Sequence, residues 1–340
     1  MVCAPKVTIA IPTYRRLDLL RECVASALAQ TVGEIEVLVS DNGNDCEVAE
    51  AVASFGDARV MYAPLAQNIG LAGNMTRCLY LGTAPYVKVL HDDDVLMPDS
   101  IEHTLSRFER DRALTIVHSA HRVIDASGGL IDPLVTWSGA TGDWEMDGET
   151  FIRHSLSSGI SFHVSTALIR RDALRDDSFE DVGGYSDLAL WLRMAARGAR
   201  FAYVHRPLTA VRLHASSDSV RQGLHLVGDA GDAVNTMTLE QTRQMQDIRR
   251  AFLLHEGYAL ADRSALWRAA RRHARRHLAR VVLKDFRAHR SLRRARAQLD
   301  QAREIDAGVS VWSLVAFATV AAAARVRKVV RMFGERLGRM

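Results

Sequence analysis

Cysteine is scarce: four residues in 340, Cys3, Cys23, Cys46 and Cys78, lie far apart with no paired spacing. That excludes a zinc ribbon and a disulfide framework and fits a reducing cytosol. From Met1 to Lys6 the chain runs straight into a strand-like segment, without the basic patch and long apolar stretch of a secretory leader. Near the other end, Val309 to Ala324 is uncharged for 16 residues, short of the ~20 that a membrane-spanning helix needs.

What is present is a globular composition, 48% hydrophobic and 25% charged, in a chain long enough for one large domain with an appendage or for two domains. The net charge of +4 conceals a division. Residues 241–340 hold 23 Lys and Arg against 8 Asp and Glu, a balance of +15, which leaves 1–240 at −11. An acidic body suits metal binding, and a basic tail suits an anionic surface.

Apolar strand candidates alternate with helical patterns along the first 120 residues. Val7–Ile11, Glu36–Ser40, Arg59–Tyr62, Tyr86–Leu90 and Leu114–His118 read as strands; Leu17–Gln30, Glu47–Phe55, Leu71–Leu81 and Asp99–Arg110 repeat apolar residues at helical spacing. The expected fold class is α/β, a doubly wound, mostly parallel sheet with helices on both faces, followed by a helical carboxyl-terminal region. Ligands of such sheets sit beyond the carboxyl ends of the strands. Polar groups collect there four times, at Pro12 to Arg16, Asp41 to Asp45, Gln67 to Gly70 and His91 to Asp94. Any one of these is ordinary turn chemistry; four on one rim point to a site.

The last group is the most telling, because a buried-looking strand ends in three consecutive carboxylates, Asp92, Asp93 and Asp94. Adjacent anions repel unless a cation lies among them, and Mg²⁺ or Mn²⁺ takes oxygen ligands of this kind, completed by substrate phosphates. The plainer alternative is a solvated turn capping a helix that starts near Pro98.

The order of Ile9 to Arg16, Val37 to Gly43, Asn68 to Asn74 and Val87 to Pro98, followed by Ser186 to Arg193 and Val211 to His214, resembles the family 2 glycosyltransferases, which have the GT-A fold. The resemblance covers roughly residues 5–222. It implies a glycosyltransferase domain over 1–222, with a nucleotide-sugar part at 1–117 and an acceptor part at 118–222, and a helical, basic region over 223–340. It further implies an inverting enzyme that moves a hexosyl or deoxyhexosyl group from a nucleoside diphosphate sugar to a hydroxyl acceptor.

By that resemblance Pro12, Thr13, Tyr14, Asp41 and Asn68 bind the donor, Asp92 contacts its ribose, Asp93 and His214 hold Mn²⁺ or Mg²⁺, and Asp187 is the general base. Asp41 can accept an imide N–H, which favours UDP or dTDP and leaves guanine open. The family's metal motif usually reads Asp-X-Asp; His91 stands at its first position here and is expected to be structural. Relatives usually carry Glu-Asp where this chain has Ser186-Asp187, and Glu180 and Asp181 are fallback bases. Asp94 is expected to support the site or cap a helix, and Arg212 to belong to a strand's supporting network. Extended segments are expected near Ala120–Asp125 and Val164–Arg170, and a helix over Gly148–Ser157. Trp137, Trp144 and Phe162 are candidate sugar platforms, although aromatic residues are more often core.

Beyond about residue 225 the pattern is helical. Residues 309–340 set basic residues beside apolar ones, which fits an anionic inner leaflet and a lipid-linked glycan acceptor, or packing within a bundle or a homo-oligomer. The expected location is cytoplasmic, peripheral on the inner face of the plasma membrane, and no nucleic acid partner is expected. The alternatives are a non-catalytic nucleotide-sugar or anionic-lipid binding protein, and a sugar nucleotidyltransferase, whose glycine-rich loop is missing after Ile11.

Overall fold

The computed structural model describes residues 4–158, 161–179, 185–214, 239–255, 258–289 and 292–306. Two compact units emerge, one of residues 1–222 with 255–261 and one of 223–254 with 262–340.

The first unit is built on a ten-stranded sheet. Its amino-terminal half is parallel and doubly wound: β1 (Val7–Thr13) lies between β2 (Ile35–Asp41) and β4 (Tyr86–Val89), with β3 (Val60–Pro64) outside β2. Strands β1 and β2 are buried along their whole length, as expected for interior parallel strands covered on both faces. Glu36 is tolerated inside β2 because its carboxylate accepts hydrogen bonds from Thr8 Oγ1 at 2.6 Å and from the N–H groups of Thr83 and Ala84 at 2.5 and 3.0 Å. Gly82 makes this approach possible: its φ is +82°, and a Cβ there would lie 2.5 Å from Glu36 Oε1 and 2.6 Å from Thr8.

The second half of the sheet is mixed. Strand β9 (Ala167–Arg170) runs antiparallel between β4 and β6 (Ile116–Ile124), and β6 pairs in parallel with β10 (Phe201–Arg212). Two short strands, β5 (Val95–Leu96) and β8 (Trp144–Met146), and the edge strand β7 (Leu130–Val135) add antiparallel pairs. The separate segments expected at Leu114–His118 and Ala120–Asp125 are therefore one strand. The segment expected to be extended from Val164 opens as a 3₁₀ turn, Val164–Thr166, before β9 begins.

Helices α1 (Leu17–Leu28), α2 (Cys46–Ser54), α3 (Gly70–Tyr80) and α4 (Ser100–Arg110) follow β1, β2, β3 and β5. Helix α4 shows the reason for its placement, since Ile101, Leu105 and Phe108 repeat at helical spacing and are buried. Helices α5 (Gly148–Ser158) and α6 (Ser186–Ala196) pack closely; a Cβ on Gly148 would lie 2.1 Å from Ala195 O.

The second unit contains α7 (Leu239–Leu254), α8 (Arg263–His289) and α9 (Leu292–Ile305). Leu278, Val282, Leu299 and Ala302 form its core, and Asp306 accepts a bidentate pair from Arg271 at 2.9 Å and a third bond from Arg275 at 2.9 Å. Among the described residues no helix is long and apolar enough to cross a membrane. The expected surface segment 309–340 lies outside the described residues.

Candidate active site

The chain reverses its winding direction between β1 and β4, and the rim of the sheet at that point is where ligands of doubly wound folds bind. Beyond β4, a turn carries His91 to Asp94 into β5. Helix α1 braces this turn and the chain after it: Cys23 Sγ donates to His91 O at 3.3 Å, Ser26 Oγ accepts from Leu96 N at 3.1 Å, and Gln30 Nε2 donates to Met97 O at 2.9 Å.

The three carboxylates are buried, and each has its own partners. Asp92 Oδ2 accepts from Thr13 Oγ1 at 2.7 Å. Asp93 Oδ2 lies 3.0 Å from His214 Nε2. Arg16 bridges the two carboxylates, 3.4 Å from Asp92 Oδ1 and 3.2 Å from Asp93 Oδ2. Asp94 caps no helix; its Oδ1 accepts from Arg212 N at 3.0 Å. Arg212, itself buried, donates through its guanidinium to Asp93 O at 2.9 Å, Glu22 Oε2 at 2.5 Å and Asp125 O at 3.3 Å. It thus ties the acidic turn to α1 and to the β6–β7 turn.

Burial, and next the Asp93 charge, push Asp92 up to about 7 and Asp94 well above the usual carboxylate range. A divalent cation at the turn would favour the ionised forms. Beneath it, Lys88 is fully buried in β4, its Nζ 3.3 Å from Ala167 O, and burial lowers its ammonium to about 7 against the pull of Asp94.

The first and second strand ends form a neighbouring surface. Pro12 and Thr13 are buried in β1, whereas Tyr14 is exposed with the Arg15 guanidinium 5.0 Å from its ring centre. Arg15 has φ 57°, uncommon for a residue with a side chain, where the chain turns away from β1. Asp41 is fully buried: Oδ1 accepts from Gly43 N at 2.8 Å, and Oδ2 from Asp45 N at 2.6 Å and Tyr62 OH at 2.7 Å. Asn68 is exposed and receives Asn42 Nδ2 at 2.9 Å and Gly70 N at 2.8 Å.

Asp187 lies in the first turn of α6, one residue after the helix starts, and its Oδ1 accepts from Leu188 N at 2.7 Å. Exclusion of water raises its pKa to about 7. The segment 161–166 connects this helix to the acidic turn: Phe162 O accepts from Trp191 Nε1 at 3.0 Å, His163 Nδ1 lies 3.7 Å from Asp94 Oδ2, and Ser165 Oγ accepts from His91 N at 3.1 Å. Glu180 and Asp181 lie outside the described residues. Trp137, Trp144 and Phe162 surround the buried His118, Phe162 stacking on it at 3.9 Å, so they form core.

The structure thus brings Thr13, Asp92, Asp93 and His214 together and attaches α6 to the same turn. Sequence reasoning missed Arg16, Lys88 and His163. Arg16 was signalled by the polar group after β1; a lysine inside an apolar strand and a lone histidine gave no signal.

Residues 8–177 match the family described as glycosyl transferase family 2. The chain belongs to that family. A hyaluronan synthase of Pasteurella multocida is 27% identical over 223 residues, 64% of this chain and 21% of its own length. An Escherichia coli chondroitin synthase is 26% identical over 221 residues, 64% of this chain and 30% of its own. The chain therefore spans between a fifth and a third of these curated relatives. Among solved structures, S. aureus TarS 1-349 in complex with UDP-GlcNAc superimposes with a TM-score of 0.59 at 14% identity, covering 88% of this chain and 81% of that one. The mannosyltransferase PcManGT from Pyrobaculum calidifontis, in complex with GDP-Man and Mn²⁺, gives 0.57 at 16%, covering 94% and 81%. These likenesses agree with a GT-A fold.

Proposed function

We propose that the chain is an inverting, metal-assisted glycosyltransferase that moves a sugar from a nucleoside diphosphate to a hydroxyl acceptor. The observation that carries this reading is the meeting of Asp93 and His214, 3.0 Å apart, at the rim of the parallel half-sheet of a family 2 chain. The donor set fits a hard or borderline divalent ion, carboxylate oxygens with one imidazole; the Arg16 guanidinium, which lies on the same oxygens, would have to move aside for the ion, towards the diphosphate. When bound there, Mn²⁺ or Mg²⁺ would neutralise the charge of the diphosphate leaving group.

The remaining work falls to side chains. A carboxylate has about four lone-pair directions, and Asp41 uses three, leaving one on Oδ1. Gly43 keeps that oxygen and the Tyr14 ring accessible to one another, since a Cβ would lie 3.3 Å from the first and 3.4 Å from the second. A single imide N–H and a flat ring fit such a place, which favours UDP or dTDP. Asn68 borders it through Asn42, Pro12 and Thr13 form its floor, and Asp92, oriented by Thr13, is assigned to the ribose.

Asp187 takes the proton of the acceptor hydroxyl as that oxygen bonds to the anomeric carbon, and the bond to the diphosphate breaks with its electron pair leaving on the nucleotide. A carboxylate with pKa near 7 is matched to that task. Nucleotide sugars in the neighbouring structures support a nucleotide-sugar donor, and the hyaluronan and chondroitin synthases among the relatives support a glycan acceptor; a lipid-linked acceptor at an anionic inner leaflet, with the chain as a peripheral protein, rests on the basic residues of 309–340 alone. The test is turnover of UDP-sugars with Mn²⁺ by the purified chain. Transfer lost in Asp187→Asn while UDP binding persists supports the reading, and transfer retained in that variant removes Asp187 as the base.

A further inference from the structure

Arg16 touches both Asp92 and Asp93, and it touches them loosely. Its Nη1 lies 3.4 Å from Asp92 Oδ1 and 3.2 Å from Asp93 Oδ2, whereas a charge-assisted bond from a guanidinium to a carboxylate settles at about 2.7–2.9 Å. The other contacts of the turn are firmer: Thr13 Oγ1 is 2.7 Å from Asp92 Oδ2, and Arg212 N is 3.0 Å from Asp94 Oδ1. The two carboxylates are nearly sealed from water, with side chains 6% and 9% exposed, while that of Arg16 is 24% exposed. Arg16 stands immediately before α1, and its side chain makes no capping bond to the helix.

A dication bonded to Asp93 Oδ2 and a guanidinium 3.2 Å from that same oxygen are like charges beside one anion, and with little water to screen them they repel. The carboxylates belong to a buried turn braced by α1 and Arg212, so the arginine is the group that yields. A guanidinium keeps its charge wherever it goes, and its planar fork matches phosphate oxygens. Pro12, Thr13 and Tyr14, assigned to the donor, directly precede Arg15 and Arg16, and Thr13 reaches Asp92 itself. A diphosphate between that strand end and an ion on Asp93 therefore lies beside Arg16.

We propose that Arg16 is the resident counterion of this site, exchanged for the divalent ion when the donor arrives and transferred to the donor's diphosphate. The inference rests on the reading of Asp93 and His214 as the metal site. Without a donor, an incoming ion must displace Arg16 with no anion to receive it, so the ion alone binds weakly. With a diphosphate present the guanidinium has a second partner, and ion and donor favour each other's entry by the same factor. A bond between the ion and the phosphates also couples the two; the share that belongs to Arg16 is the share that its removal abolishes.

The test uses the full, chelator-stripped chain, with Mn²⁺ affinity read from the loss of the aqueous ion's electron paramagnetic resonance signal. Without nucleotide, Arg16→Gln should bind Mn²⁺ at least about tenfold more tightly than the wild type, a usual size for coupling between two sites; a damaged fold cannot produce a gain. At saturating Mn²⁺ its affinity for UDP should fall by at least about tenfold in calorimetry, and its affinity for uridine, which has no diphosphate, should not change. Mn²⁺ binding unchanged or weaker in Arg16→Gln, UDP binding unchanged, or equal losses for UDP and uridine overturn the proposal. Asp93→Asn separates this failure from that of the metal reading. Mn²⁺ binding lost in Asp93→Asn but unmoved in Arg16→Gln leaves the metal site without the exchange, and binding unmoved in Asp93→Asn removes both.

Discussion

Asp187→Asn should make the protein more stable and less active at once. The carboxylate is raised from 3.8 to about 7 because water is excluded from it. Between those values the folded chain holds a proton that the unfolded chain has lost. Raising the pH through this window therefore destabilises the fold, and the penalty levels off above pH 7. Three units correspond to at most about 4 kcal/mol at 1.36 kcal/mol per unit, and partial exposure of the residue reduces this to about 2 kcal/mol. Asparagine has no such proton. Its advantage should be absent at pH 4 and full at pH 8, an increase in melting temperature of about 4–8 °C for a unit of this size.

A residue that merely served the helix would behave in the opposite way. A carboxylate in the first turn of α6 interacts favourably with the helix dipole by about 0.3–1 kcal/mol, so its removal would lower stability at pH 8. Thermal melts of both proteins at pH 4, 6 and 8 separate the two cases. Parallel curves, or a variant less stable at pH 8, would refute the reasoning about desolvation. In the same samples sugar transfer should fall by about 10²–10⁴, the usual contribution of a general base, and wild-type kcat/KM should fall tenfold per unit as pH drops below about 7.

Three further outcomes are expected. Asp93→Asn and His214→Gln should each weaken Mn²⁺-dependent UDP binding by more than about tenfold, the lower end of what losing even an outer partner of a metal site costs, while UDP binding without metal changes little in calorimetry. Arg212→Met should cost about 1–3 kcal/mol in urea unfolding, because it strands the carbonyl of Asp93 that the guanidinium now holds, whereas the half-exposed Glu22 carboxylate returns to water. Gly82→Ala should destabilise by about 1–3 kcal/mol, since φ is +82° and the new Cβ meets Glu36 and Thr8; an Ala variant with an unchanged urea midpoint would contradict this.

The doubly wound half was legible because its evidence is local. Each strand from β1 to β4 is a short apolar run closed by turn residues, and the observed ends differ from the expected ones by one or two positions. The other half depends on pairing between distant segments, which periodicity does not record. Two residues, Val95 and Leu96, become β5 only because β10 lies beside them; β9 enters between β4 and β6 antiparallel, preceded by a 3₁₀ turn. At the site the same division holds. The acidic turn announces itself by charge density, whereas His163 gains meaning only when the fold delivers it to Asp94 from about 70 residues away. Asp41 shows a third case: its position after β2 was readable, but its three internal hydrogen bonds, which decide how much of it a base can use, were not.

Three adjacent carboxylates look in sequence like one site, and the fold makes them three. A tight turn sends successive side chains in different directions, so Asp92 is taken by Thr13, Asp93 by His214, with Arg16 between them, and Asp94 by Arg212 N and His163. Each partner differs in chemistry: a hydroxyl that orients, an imidazole beside a guanidinium, a backbone amide beside an imidazole. Repulsion among the anions is thereby offset locally, and no single ion need satisfy all three. It follows that charge-neutral replacements along the turn should separate by function: Asp92→Asn should change donor affinity, Asp93→Asn its dependence on Mn²⁺, and Asp94→Asn, which alters the buried oxygens that meet Arg212 N, the urea midpoint. If all three variants lost the same property to the same degree, the turn would be one cluster after all, and the division drawn from its geometry would fail.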